Sequence, residues 1–310
     1  MNPRAMTREE EFLENKDFFR RNAFLVIKKI VGMAPEQPSM LVDEILHIIF
    51  FLGEINRPKY SPQDIVIEQD LMNILKGRYP KPFKCYPTQI PRRSPISCVL
   101  DMTVYLTGQE KESEIIADLQ KLIHDLRKDQ ATDLVCSTIC VSQLNQSERH
   151  YGVSFSTAGR DPGRIVTGAD CLSGWELYVA GAVMTYYPKK EKKAYFDGTI
   201  KIPGDVRCQA FNLSDGNPMA ACRSCANLFG LTTSEKKEWP YGNCAEVESL
   251  SNLLKKEKEL EEKVRPTSET YTDENRKKAA DSAMKEVTDS LRMLHFKWDK
   301  NFYTPEGHVP

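Results

Sequence analysis

The sequence predicts a mixed α/β protein: a helical N-terminal region over residues 1–130, then an α/β region over 131–310 covered by C-terminal helices. Three observations predict it. Before residue 130, apolar side chains recur at three- and four-residue spacing inside charged segments, which gives a helix one buried stripe. Beyond Asp129 that spacing gives way to short alternating runs of β-branched and small residues, the pattern of half-buried strands. Helical spacing then returns near Cys244 and lasts almost to the end.

The elements follow in order. Phe12, Phe19, Leu25, Val26 and Ile30 mark a first helix, and a second covers Met40–Leu52 after Pro38-Ser39. Ser61-Pro62 opens a third, with a hydroxyl for the N-cap and proline at the first helical position, where its missing N–H costs nothing. Four prolines between Arg78 and Pro91 predict a loop. Helices resume over Ile96–Leu106 and Glu110–Lys128, the latter with the stripe Ile115, Ile116, Leu119, Leu122, Ile123 and Leu126. Leu134–Val141 and His150–Thr157 read as a hairpin across the polar stretch Gln143–Arg149. Arg164–Thr167 reads as a third short strand after the turn Asp161-Pro162-Gly163, and Leu172–Tyr187 as a helix starting at Ser173. Phe196–Pro203 and Val206–Phe211 read as further strands. Helices are expected over Ala221–Phe229, Cys244–Lys258 and Glu274–Lys297, the last carrying Ala280, Met284, Val287, Leu291 and Leu294.

Lys and Arg number 43 against 44 Asp and Glu, a net charge of −1. That excludes a global basic footprint for nucleic acid and leaves room for a local patch. No apolar run approaches the ~18 residues of a membrane span, and the charged N-terminus lacks the apolar core of a signal peptide. The expectation is a cytoplasmic or nuclear, intracellular protein without membrane contact. Its nine cysteines would be reduced there, and close spacing then points to metal or chemistry rather than disulfides.

Cys222-Arg-Ser-Cys225 is that close spacing, and Cys244-Ala-Glu246 follows after eighteen intervening residues. Two thiolates at C-x-x-C spacing reach one tetrahedral ion from a single helix start. A third thiolate leaves the fourth position open to water, and Glu246 beside it can move protons. Both motifs sit at expected helix starts, with Asn243 as the expected N-cap of the second, where the dipole favours a thiolate. Two further readings stand beside this one, and the simpler is that no metal binds and the thiols are buried as small hydrophobes. In the other, Cys208 supplies a fourth thiolate and closes the site into a purely structural staple.

Cys222-Arg-Ser-Cys225-Ala-Asn-Leu-Phe resembles the C-x-x-C helix start of the cytidine deaminase-like superfamily. Gly242-Asn-Cys244-Ala-Glu246-Val-Glu-Ser-Leu resembles its Cys-Ala-Glu helix, especially in toxin-type nucleic-acid deaminases. In that family the Cys-Ala-Glu motif precedes the C-x-x-C; here the order is reversed, as a circular permutation would leave it. The resemblance spans about residues 131–258, and its specific part is about 35 residues. It implies a deaminase-like α/β sandwich, zinc on Cys222, Cys225 and Cys244, and Glu246 as proton shuttle. The implied function is zinc-dependent hydrolytic deamination of a nucleobase, nucleoside or nucleic acid. The alternative is a non-enzymatic interaction protein stapled by a four-cysteine zinc site, its terminal helices binding protein partners.

Other residues carry less. Cys136 and Cys140 share one strand face about 13 Å apart and read as core thiols. Cys171 precedes a helix and is a candidate neighbour of the metal site, whereas Cys85 and Cys98 read as structural. His47, His124, His150, His295 and His308 form no metal-binding spacing; His150 is the one candidate pocket residue. Gly159–Gly163 is a turn and not a phosphate loop. Pro188-Lys-Lys-Glu-Lys-Lys193, flanked by Tyr186, Tyr187 and Tyr195, reads either as a solvated loop or as a phosphate-contacting edge with stacking rings.

Overall fold

A computed structural model describes residues 17–34, 39–157 and 159–308, so the expectations on Phe12 and Pro38 lie outside it. The mixed α/β class holds, with helices far outweighing a small four-stranded antiparallel sheet.

The N-terminal region is a helical pile. α1 (Phe18–Met33) buries Phe19, Ala23, Phe24, Val26, Ile27 and Ile30, with Asp17 accepting from the Arg20 N–H as its cap. α2 (Met40–Ile55) is buried on nearly every face, which its almost unbroken apolar run requires. α3 (Pro62–Ile65) starts in a capping box between Ser61 and Asp64 and lasts one turn before α4 (Gln69–Arg78). The four-proline segment is not all loop: Pro80 opens α5 (Pro80–Cys85), since prolines in a first turn remove only N–H groups that have no helical partner. α6 (Pro95–Thr107) and α7 (Glu112–Leu126) follow, and α7 buries the six-residue stripe read from the sequence. Buried Arg21 and Asn22 of α1 donate to the Leu126 carbonyl, with Arg21 also reaching Lys128, and so satisfy the open end of α7.

β1 (Thr138–Leu144) and β2 (His150–Val153) form the expected hairpin, with Ile139 opposite Val153 and Ser142 opposite His150. β3 (Val206–Asn212) pairs with the other edge of β1, and β4 (Pro218–Met219) with β3, giving the order β2-β1-β3-β4. Alternation divides the sheet. Ile139, Val141, Tyr151 and Val153 join the core of the N-terminal helices. Cys140, Gly152 and Ala210 face the opposite side, where α11 (Ala245–Lys256) lies across the strands.

Two expected strands are absent. Arg164–Thr167 lies inside α8 (Arg160–Ala169), because Pro162, Ile165, Val166 and Ala169 recur at i, i+3, i+4 and i+7 and are buried together. Phe196–Pro203 is irregular; the Ile200 and Ile202 N–H groups donate to Leu228 and Phe229 carbonyls, satisfying the end of α10 (Arg223–Phe229). The expected helix from Ser173 begins later. A wide turn over Asp170–Gly174 precedes α9 (Leu177–Met184), whose cap is Glu176 accepting from Tyr178 and Val179 N–H.

α11 ends at Lys256 with Glu257 as its C-cap, and α12 (Lys258–Val264) continues the charge run. α13 (Asp273–Met293) buries Ala279, Ala283, Val287, Ser290 and Leu291 against α8 and α9, so Ala280 and Met284 lie to one side of its stripe. The tail then returns to the N-terminal helices: Phe296 meets Phe51 edge-on, and Tyr303 stacks on His47 at 3.7 Å. One apolar cluster therefore runs from α1 through the sheet to Val287 and Phe296, across the expected boundary at residue 130. Among the described residues no helix is long and apolar enough to cross a membrane.

Gly152 sets the distance between sheet and α11. A Cβ there would stand 2.3 Å from the Ser249 nitrogen and 2.6 Å from the Ala245 carbonyl oxygen. Backbone atoms cannot yield as a flexible side chain can. Gly152→Ala is expected to destabilise the protein by about 2–4 kcal/mol, the scale of severe overpacking. Urea unfolding measures it, and a loss below 0.5 kcal/mol (about the scatter of surface substitutions) contradicts this packing.

Candidate metal centre

Cys222 is the N-cap of α10, Cys225 lies in its first turn, and Cys244 is the N-cap of α11. The cap of α11 is therefore Cys244 and not Asn243 as the sequence suggested. Asn243 instead accepts from the Thr167 hydroxyl through its side chain and from the Phe155 N–H through its carbonyl, fixing the approach to the helix. Gly242 makes that approach possible. Its φ of +98° suits glycine, and a Cβ would stand 2.5 Å from Thr167 Cγ2.

The two helix starts bring the three sulfurs together. Cys222 Sγ lies 3.6 Å from Cys225 Sγ and 3.4 Å from Cys244 Sγ. All three lie within 4.8 Å of one another, close enough to hold one metal ion. Thiolates about 2.3 Å from a tetrahedral ion sit about 3.8 Å apart, so only small shifts separate the group from a coordination face. Hydrogen bonds shared with the Cys225 and Cys244 sulfurs, joined by the Ser224 and Cys225 backbone N–H groups, hold the Cys222 thiol well below its ordinary value. The other two thiols are pushed up by the same sharing and by burial. A cation bound by the trio would displace the thiol protons.

Cys208 is elsewhere. Its Sγ lies 3.6 Å from Cys140 Sγ and receives the Ser142 hydroxyl at the same distance, on the face of the sheet under α11. It is not part of the three-thiol group, so no fourth thiolate closes it among the described residues. Cys171 is buried in the turn after α8, also outside the group. Cys136 and Cys140 are fully buried, as expected of core thiols, but do not share a strand face: Cys136 precedes β1 and packs in the core of the N-terminal helices, whereas Cys140 faces α11. His150 is buried at the start of β2 and contributes to no metal cluster.

Glu246, at the second position of α11, is only 5% exposed, yet it lines a cleft with Cys222 and Cys244. Burial pushes its carboxyl up to about 7, a backbone hydrogen bond opposes the rise, and repulsion from Cys222 adds to it. The cleft encloses about 240 Å³ at the end of the sheet where β1 begins and β2 finishes. Ser137, Thr138, Ser154 and Asn243 give it polar groups; Phe155, Met219 and Trp239 give it apolar walls. Its size lies just below the roughly 300–1,000 Å³ of drug-sized ligand sites, which suits a small ligand. Phe155 and Trp239 were not singled out from the sequence. They come from loops, and the only signal was the position of Trp239-Pro240 just upstream of Cys244.

Behind Cys244, Glu248 accepts from the Val153 N–H at 2.8 Å and so ties α11 to β2. Burial pushes its carboxyl up to about 7, Asp101 adds repulsion, and Arg93 and Ser97 oppose the rise. The raised value means the folded protein holds this proton more tightly than the unfolded chain. Stability from this group is present below the ordinary carboxyl value of 4.5 and falls as pH rises from there through about 7. Glu248→Gln keeps an acceptor for Val153. It is expected to match wild type at pH 5 and to be more stable at pH 8, by about 1–3 kcal/mol. Denaturant midpoints at the two pH values decide it, and parallel pH curves for both proteins would refute the assignment.

No protein family, curated protein or solved structure matches this chain.

Proposed function

We propose that this chain is a zinc-dependent hydrolytic deaminase-like protein acting on a nucleobase, nucleoside or nucleic acid. The observation that carries the reading is the placement of Glu246: a buried carboxyl in the wall of the same cleft that the three-thiol group borders. Soft thiolate donors suit zinc, and three protein ligands would leave one position open, which distinguishes catalytic from structural sites. The resemblance of Cys222–Phe229 and Gly242–Leu250 to deaminase motifs supports the same assignment. The reversed chain order is no obstacle, since both motifs act from helix starts that meet in space.

Bound zinc would supply a Lewis acid that lowers the pKa of water towards 7. The remaining work belongs to the chain. Glu246 accepts a proton from water and delivers it to the departing amine, the acid–base role of a carboxyl that lines the cleft beside the thiols. Phe155 and Trp239 offer apolar faces to a flat ring, and Ser137, Thr138, Ser154 and Asn243 offer hydrogen bonds to its edge. Burial of Glu246 keeps bulk water from competing for the proton.

The test is ammonia release by zinc-loaded protein from cytosine, cytidine, deoxycytidine, adenosine and single-stranded DNA and RNA. Release from any of them that is lost in Glu246→Gln supports the reading. No release from all of them, by protein that carries one zinc, leaves the centre as a staple for the starts of α10 and α11.

A further inference from the structure

We propose that the rim of the cleft is a binding surface for single-stranded nucleic acid, gripping phosphates on either side of a base lodged in the cleft. The fate of that base rests on the deaminase reading; the grip does not. Two segments distant in sequence build the rim. The Lys190 ammonium donates to the Glu238 carbonyl, the Tyr186 ring stacks on Tyr241 at 3.9 Å, and the Arg223 N–H donates to the Lys237 carbonyl at 3.0 Å. Residues 188–193 are thereby fastened beside residues 235–241, next to the start of α10. Lys189, Lys190, Arg223, Lys236 and Lys237 are all exposed along this edge, against the exposed carboxylates Glu191 and Glu235. In a chain of net charge −1 this is a local excess and not a general property.

Trp239 joins the rim to the cleft. It lines the cleft, is 47% exposed, and has the Lys237 ammonium 3.8 Å from its ring centre. An exposed indole beside cations at the mouth of a cleft sized for a small ligand matches the pairing of stacking platform and backbone charge used for single strands. A duplex would have to extrude its base to use this cleft, which favours an unpaired strand. Lys192 and Lys193 are otherwise engaged. Lys192 pairs with Asp197, and half-buried Lys193 donates to the Met184 and Tyr187 carbonyls, holding the loop in shape.

The experiment is fluorescence anisotropy with the full chain and labelled single strands of about 15 nucleotides, within the roughly 4–16-nucleotide span of such grooves. DNA and RNA are measured separately over a salt series, with matched duplex and polyglutamate as competitors. The expected result is single-strand binding that weakens with salt. Lys189→Gln, Lys236→Gln and Lys237→Gln combined should lower the salt slope by about 2, near 0.7 per lost phosphate contact. Trp239→Ala should weaken binding roughly 5- to 150-fold at unchanged melting temperature, while Lys285→Gln, on the exposed side of α13 away from the rim, should bind as wild type does. An unchanged slope in the triple variant, an unaffected Trp239→Ala, or competition by duplex or polyglutamate as effective as by single strand overturns the proposal. Binding without ammonia release upholds the surface and removes the deaminase reading. Deamination of a free nucleoside without strand binding does the reverse.

Discussion

Glu246→Gln is expected to lower turnover by about 10²–10⁴-fold, the usual contribution of a positioned general acid–base group. Its bound zinc and substrate affinity should stay close to wild type. The substitution keeps shape and hydrogen-bonding capacity while removing the ability to carry a proton. Glu246 is not one of the grouped thiols, so metal content should not respond. Stability should not fall either, because burial already disfavours the ionised carboxyl and pushes it up to about 7. A loss of kcat with KM nearly constant places the effect in the reaction step. A fall in zinc content instead would make Glu246 a ligand and exclude the shuttle role.

Cys244→Ser is expected to give the largest change in stability. Cys244 alone brings α11 to the centre; Cys222 and Cys225 both belong to the start of α10. Its loss removes one of three thiolates, and zinc should be absent from the purified variant. A ligand present a thousandfold above its Kd stabilises the folded state by about 4 kcal/mol, so the variant should melt on the order of 10 °C lower. Wild type treated with chelator should fall to nearly the same temperature. Scanning calorimetry of wild type, variant and chelated wild type reads this out. If the variant melts lower but the chelated wild type does not, the cysteine acts through packing and not through metal.

Much of the fold was legible because its signals are local. The stripe from Ile115 to Leu126 and the alternation in β1 to β3 each require one buried face, and the structure supplies it. Errors arose where a local signal competed with a longer one. Asp161-Pro-Gly163 carries turn chemistry, but the apolar spacing from Pro162 to Ala169 spans two helical turns and is satisfied by α13. Phe196–Pro203 has strand-like alternation, yet its N–H groups meet the end of α10, a contact no local pattern encodes.

The centre was legible for the same reason as the helices. Cys222, Cys225, Cys244 and Glu246 all sit at helix starts marked by nearby prolines, a glycine and an asparagine. Cys208 was not separable from them by sequence, because its exclusion depends on strand register. It pairs opposite Ser142 on β1 and turns its sulfur to Cys140. The cleft walls were equally hidden, since Phe155 and Trp239 lie in loops brought together only by the docking of α11 on the sheet.

The most direct test of the central claim is zinc content per chain of wild type and Cys208→Ser, purified without chelator. The three-thiol centre predicts one zinc in each, because Cys208 lies with Cys140 and outside the group. Zinc present in wild type and lost in Cys208→Ser would contradict it, showing a closed four-thiolate staple. No zinc in either would remove the metal, and the proposed chemistry with it.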